Sequence, residues 1–523
     1  MKKILATLIA LAMVLSLAAC DGQKEPESTE KPIEEETEVV TTYVERTDWD
    51  ETVKTAINDF MDMYGHASEN YSEDSYVVFD FYNTCSIFDI EEQLAVYQLQ
   101  VMAFAFTPDE IGEILFTELG DHDEDRTDLG YGNGSYADWV DDITAAYTYL
   151  YETYGPFTPT GLSEEEQATI QADPQWAEFA TKMRAMYDLV YDAESASVAY
   201  PWVLYWFTGM TQQEVYNLAY ASHSYYGSVE TSTVTWTSPA EIASKVGVVE
   251  YTWNSGIAVS KNIVELWAAL QANGIDVWVC SASATEPVRA AIDVFGLHDY
   301  CTGVLAMTRT LDDNGKYTNS YDYKTGYAWF ATEGGWEEAT ENPTGAQTQG
   351  VGKVTAISNA IAPFYNGAGP LAGFMDSTGD FNFCTEFASL KLVTCFNRAS
   401  RKVTDGGGVI AEVAVYQRDT LGYTLATANA NGDTLYVLQG REENGLRGFR
   451  SSDATMIYGA TEEKLFKNED NTTQLQYMID NAMSTEEIIN TFAIKTAADA
   501  ADNVLGIKYG FLSEYAGYHN IVD

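Results

Sequence analysis

The chain has 523 residues, of which 46% are apolar and 13% aromatic, a composition that excludes a disordered chain and exceeds the needs of one minimal core. Against 28 Lys plus Arg stand 79 Asp plus Glu, a formal net charge of −51, so the long-range field repels phosphodiester backbones and nucleic acid is excluded as a partner. The same charge favours a cationic ligand or a divalent metal. The six cysteines, Cys20, Cys85, Cys280, Cys301, Cys384 and Cys395, form no CxxC pair and have no His at metal-ligand spacing, so neither a zinc site nor a disulfide framework is expected.

Lys2 and Lys3 precede an apolar run over 4–17 that ends in Leu17-Ala18-Ala19-Cys20. The run is too short for an ordinary spanning helix and reads as an exported leader over 1–19. Its ending resembles a bacterial lipoprotein signal, which implies that Cys20 carries lipid and attaches the chain to the membrane on its extracytoplasmic side. Residues 20–45 are acidic and poor in aromatics, with Pro26 and Pro32, and read as a solvated tether.

The body starts with 46–94. Within it Tyr76-Val77-Val78-Phe79 is a continuous β-branched and aromatic run, as in a buried parallel strand, and it stops at Asp80. Residues 95–246 carry helix-like, aromatic-dense text and are expected to form a large, mostly helical cap inserted after that first strand. The third part, 247–523, resumes the alternation. Ser260 is a candidate N-cap for a helix presenting Ile263, Leu266, Trp267 and Leu270, with Gly274 as terminator. A strand over 275–280 follows and ends at Ser281, and Thr285-Glu286-Pro287 opens another helix. A small insert is expected near 303–350, with a turn at Asp312-Asp313-Asn314-Gly315 and Tyr321 and Tyr323 in a strand after it. Residues 370–375 read as a strand ending at Asp376, and two more strands are expected near 390–393 and 434–438, with a closing amphipathic helix over 486–498. This is the βαβα pattern of an α/β fold, a doubly wound parallel sheet with a Rossmann-like core. Such sheets bind ligands beyond the carboxyl ends of their strands.

The polar strand ends are, in order, Asp80 with Thr84 four residues on, Ser281, Lys353 after Gly350-Val351-Gly352, and Asp376 with Asp380. These segments, Phe79-Asp80-Phe81-Tyr82-Asn83-Thr84, Val279-Cys280-Ser281, Gly352-Lys353 and Asp376-Ser377-Thr378-Gly379-Asp380, resemble the four motifs of the haloacid dehalogenase superfamily, in its phosphoserine or phosphorylcholine phosphatase-like branches. The resemblance implies a phosphatase in which Asp80 attacks phosphorus, while Ser281 and Lys353 stabilise the phosphoryl oxygens. It implies Mg2+ held by Asp80, the backbone carbonyl of Tyr82, Asp376 and Asp380. A small phosphorylated molecule, phosphocholine-like in this branch, is the implied substrate. Position 82 departs from the pattern, because the phosphatases carry there the Asp that serves as general acid and base. A phenol is a poor base at neutral pH. Carbon–halogen hydrolysis, whose enzymes carry Tyr at that position, is the alternative, and a surface lipoprotein that binds without turnover is a third reading.

Several tempting features carry blander expectations. Tyr147, Tyr151, Trp202, Trp206, Tyr225 and Tyr226 could form a cage for a quaternary ammonium, though such a stripe is more often core. Asp121, Asp123, Asp125 and Asp128 surround Arg126, where a calcium loop needs Gly. Arg441, Arg447 and Arg450 show no specific spacing and stay outside the expected site.

Overall fold

The computed structural model describes residues 40–322, 326–399, 406–445, 447–467 and 469–489. The leader, Cys20 and most of the tether, Tyr323, and most of the closing helix therefore lie outside the described residues. From Thr41 onward these residues belong to one compact unit. Among them no helix is long and apolar enough to cross a membrane.

Tyr76–Phe79 forms the short strand β1, buried along its whole length. After it come β2 (Ser86–Ile87), a hairpin of β3 (Ser232–Thr237) and β4 (Glu250–Ser255), and β5 (Ala258–Val259), which pairs back on β2. Next are β6 (Asp276–Ala284), β7 (Gly303–Met307), a hairpin of β8 (Arg309–Leu311) and β9 (Tyr317–Tyr321), then β10 (Trp329–Thr332) and β11 (Gly335–Glu338). The chain continues through β12 (Ala372–Met375), β13 (Leu392–Phe396), β14 (Leu435–Gln439), β15 (Arg441–Glu442) and β16 (Gly448–Phe449).

Eight of these strands make one sheet in the order β11-β10-β7-β6-β1-β12-β13-β14. The pairs from β7 to β14 are parallel, whereas β10 and β11 run antiparallel at one edge. The chain builds outward from β1 to β7 on one side, then returns to build from β12 to β14 on the other. Crossovers therefore diverge between β1 and β12, which opens a crevice at their carboxyl ends. Side chains alternate between two cores. Val77 and Phe79 face one with Val277 and Val279, and Tyr76 and Val78 face the other with Trp278 and Cys280. Phe79 stacks on Phe374 of β12 with ring centroids 3.8 Å apart. Truncating such a residue to Ala costs about 3–5 kcal/mol.

Local chemistry sets the flanking elements. Asp50 caps the helix Glu51–Tyr64 by accepting from the amides of Thr52 and Val53. Ser260 caps Lys261–Ala272 as the sequence predicts, and Gly274 ends it at φ +74. A side chain at Gly274 would meet the Tyr71 hydroxyl at 2.9 Å, so both backbone and space require Gly there. The Asp312 carboxylate accepts from the amides of Asn314 and Lys316 in the expected turn.

The helices from Ile90–Val101 to Gln212–Ser228 fill most of the segment between β1 and β6. The hairpin of β3 and β4 that closes this segment is not expected from the sequence; Trp236 and Trp253 pack edge to face within it at 4.6 Å. Two other elements also differ from expectation. β6 runs on through Ser281 to Ala284 with an irregular register against β7, and the segment 303–350 begins with β7, a parallel strand of the main sheet.

Candidate functional site

The register places the site. Phe79 pairs with Val279 on one side and Phe374 on the other, so Asp80, Ser281 and Asp376 emerge together at the carboxyl end of the sheet. Asp80 follows the strand directly, and its amide donates to the Phe374 carbonyl at 3.0 Å. The chain then turns sharply, with Asn83 at φ +56, and this sends Thr84 back to donate to Asp376 at 3.3 Å. Lys353 enters from the first turn of the helix Val351–Ala360. That helix start is tied to the acidic loop by a hydrogen bond from the Gly350 amide to the Gly379 carbonyl at 2.8 Å.

Asp80, Asp376 and Asp380 are all buried, and one oxygen from each lies within 4.8 Å of the others. Three carboxylates so close repel one another unless cations or protons intervene. Lys353 Nζ donates to Asp80 at 2.7 Å and to Asp380 at 2.6 Å. Arg398 donates through one terminal nitrogen to Asp376 at 3.1 Å. Burial, then the neighbouring Asp380, raises the Asp80 carboxyl above its ordinary range, while Lys353 pulls it back. Asp380 is raised as well, burial being the main cause. The Lys353 ammonium is held above its ordinary value by the two carboxylates, which outweigh its burial. This oxygen-only donor set suits a hard divalent cation, so the buried Asp group can hold a metal ion.

Ser281 and Tyr82 stand beside this cluster without hydrogen-bonding it, among the described residues. Ser281 is fully buried and its hydroxyl accepts from the Ser283 amide at 3.2 Å. Tyr82 lies under Arg398, with the guanidinium carbon 5.5 Å from the ring centroid. Burial, the largest influence, raises its phenol above the ordinary value, and Arg398 lowers it only in part. Burial pushes the neighbouring Cys280 thiol up to about 12, which keeps it protonated at neutral pH.

Three residues absent from the expected site belong to its surroundings. Arg398 and Arg441 lie just beyond the ends of β13 and β14, and nothing local in the sequence marks them. Arg441 is buried and donates to the Asn83 carbonyl at 2.5 Å and to the Asn83 side chain at 3.2 Å, which fixes the turn after Asp80. Glu91 sits in the first turn of Ile90–Val101, a helix capped by Asp89, a signal that was legible in the run Asp89-Ile90-Glu91-Glu92. Glu91 accepts from the Ala284 amide at 3.0 Å. Burial, with Asp89 adding, pushes it up to about 8. Tyr187 and Tyr200 couple to the same two carboxylates, and burial holds their phenols well above the ordinary value.

The aromatic cage does not assemble from its six members. Tyr147, Trp202, Trp206 and Tyr226 are core residues, whereas Tyr225 is exposed. Tyr147 donates to the Phe106 carbonyl and Trp202 to that of Leu115, both at 2.9 Å. Arg126 in the acidic turn is buried against Tyr136 and pairs with Glu194, a structural role. The five described cysteines are buried and form no disulfide with one another.

Fold and site together define an α/β protein with a buried carboxylate cluster at the switch point of a largely parallel sheet. No family model matches the chain, and no curated protein matches it. Among solved structures it is similar to a conserved, functionally unknown protein from Anaerococcus prevotii DSM 20548, with 24% identity over 80% of this chain and 100% of that one, at a TM-score of 0.64. That likeness concerns the fold alone.

Proposed function

We propose that the protein is an extracytoplasmic, Mg2+-dependent phosphomonoesterase of the haloacid dehalogenase type, with a doubly wound core, a helical cap over 95–246 and a lipid anchor at Cys20. The observation that supports this best is the convergence of Asp80, Asp376, Asp380 and Lys353 at one point of the sheet. An Asp80 oxygen attacks phosphorus, the bond from phosphorus to the ester oxygen breaks, and an aspartyl-phosphate forms; water then releases phosphate and restores the carboxylate. Asp80, Asp376, Asp380 and the Tyr82 carbonyl would hold Mg2+, which when bound supplies charge neutralisation for the phosphoryl oxygens. Lys353 orients Asp80 and balances its charge, and Ser281 offers a hydroxyl beside it. Tyr82, with its raised phenol, protonates a leaving group poorly and cannot deprotonate water, so good leaving groups react fastest. The Asp89 carboxylate and the rings of Tyr187 and Tyr200 suit the cationic end of a small phosphorylated molecule such as phosphocholine.

The experiment is release of inorganic phosphate from phosphocholine, phosphoserine and an aryl phosphate, with Mg2+ or with chelator, by the protein and its Asp80→Asn variant. Mg2+-dependent release that disappears in the variant is the expected result. No release from folded, metal-loaded protein would overturn the reading. Tyr82 favours a second reading, carbon–halogen hydrolysis by the same Asp80, which predicts halide release that survives chelation.

A further inference from the structure

We propose that Arg398 is a displaceable counter-ion of Asp376: its guanidinium occupies that carboxylate when no metal is bound, yields it to a divalent cation, and then turns to the oxygens of the phosphoryl group. The proposal rests on the metal-dependent reading above and adds a residue that none of the four motif segments contains.

Among the described residues, the two cations that touch the cluster are built differently. The Lys353 side chain is only 1% exposed and is shared by two carboxylates, so it has nowhere to move. Arg398 is 27% exposed at its side chain and reaches a carboxylate that is itself only 2% exposed, which means that it approaches from the open side. It makes a single hydrogen bond among the described residues, so most of a five-donor fork is unused. The root of the side chain is fixed. The Asn397 side-chain Nδ2 donates to the carbonyls of Asp453 and Leu465 at 2.7 and 2.9 Å, and the Ala399 backbone amide donates to the Asn397 Oδ1 at 2.8 Å. Motion is therefore confined to the long side chain, which lies against Tyr82.

A divalent ion on Asp376 and a guanidinium 3.1 Å from the same carboxylate would repel each other in a site that excludes most water. The released fork matches the geometry of phosphate oxygens, which Lys cannot reproduce. Arg398 should thus oppose metal binding and favour anion binding, two effects of opposite sign from one residue.

The test is calorimetric titration of Mg2+, and of inorganic phosphate at saturating Mg2+, into the full chain and its Arg398→Met, Arg398→Gln and Arg398→Lys variants, with thermal unfolding as the check on folding. Loss of the guanidinium in Arg398→Met or Arg398→Gln is expected to tighten Mg2+ about tenfold and weaken phosphate about tenfold, the scale of one charge-assisted hydrogen bond. Arg398→Lys should stay near the parent for Mg2+ but lose phosphate affinity. Unchanged or weaker Mg2+ binding in the uncharged variants, with Mg2+ bound by the parent, overturns this proposal and leaves the metal-dependent reading intact. Absence of Mg2+ binding in the parent and in every variant overturns both.

Discussion

The Lys353 ammonium donates to the Asp80 carboxylate at 2.7 Å across 273 residues of chain. Because the same ammonium also serves Asp380, replacing it by Met strands two buried carboxylates. Lys353→Met should destabilise the metal-free protein by about 3–5 kcal/mol, as for a broken buried ion pair. Mg2+ should restore part of that loss by taking over the neutralisation. Urea unfolding with and without Mg2+ measures both quantities. A loss under about 1 kcal/mol would show that protons, not Lys353, balance the cluster.

Tyr82 is the weak point of the proposed chemistry. Placing a carboxylate there supplies the missing acid and base, an effect usually on the order of a hundredfold or more. Tyr82→Asp should raise phosphate release from alkyl esters by about that factor, and from aryl esters by less. A flat or lower rate would count against the placement of Asp80 as nucleophile.

Glu91 predicts a pH dependence. Its carboxyl is pushed up to about 8 from an ordinary 4.5. Below pH 4.5 folded and unfolded chains both keep the proton, and the group costs nothing. Between 4.5 and 8 the unfolded chain ionises while the folded one does not, so stability is lost with rising pH at about 1.4 kcal/mol per unit. Glu91→Gln lacks this loss and still accepts from the Ala284 amide. The variant should match the parent at pH 4 and exceed it increasingly up to pH 8, by urea unfolding at several pH values. A difference that does not grow with pH would show that Glu91 is ionised in the fold.

Arg441 holds the turn after the proposed nucleophile through two bonds to Asn83, and it pairs with Glu443 at 2.5 Å. A lysine keeps the charge but not the fork. Arg441→Lys should lower kcat roughly tenfold to a hundredfold with little change in KM, since displacement of about 1 Å near a reacting group is enough. A change in KM alone would mean that the turn positions substrate, not Asp80.

The sequence displays the strand ends because an apolar run closed by a charged residue is a local signal, as at Phe79-Asp80 and Met375-Asp376. Caps are equally local, and Ser260 and Gly274 stand where they were expected. The hairpin of β3 and β4 is weakly marked because β3 presents only Val234 and Trp236, both partly buried, between the exposed Ser232, Thr233, Thr235 and Thr237. β7 reads as part of an insert because Gly303-Val304-Leu305 is short, with a turn-rich stretch after it and no flanking caps. The surroundings of the site were the least legible part. Arg398 touches Asp376 across 22 residues and Arg441 touches Asn83 across 358, and neither distance leaves a periodicity.

β1 emerges early, yet its neighbours in the sheet are β6 and β12, beginning at Asp276 and Ala372. Pairing so distant must close long loops before any contact rewards it, which makes assembly of the sheet centre slow. Until then both edges of an apolar strand are bare and prone to wrong pairing, and Asp80 has none of its partners. The cluster is completed only when the sheet is, so the capacity of Asp80, Asp376 and Asp380 to hold a cation belongs to the finished fold and not to any fragment that contains β1.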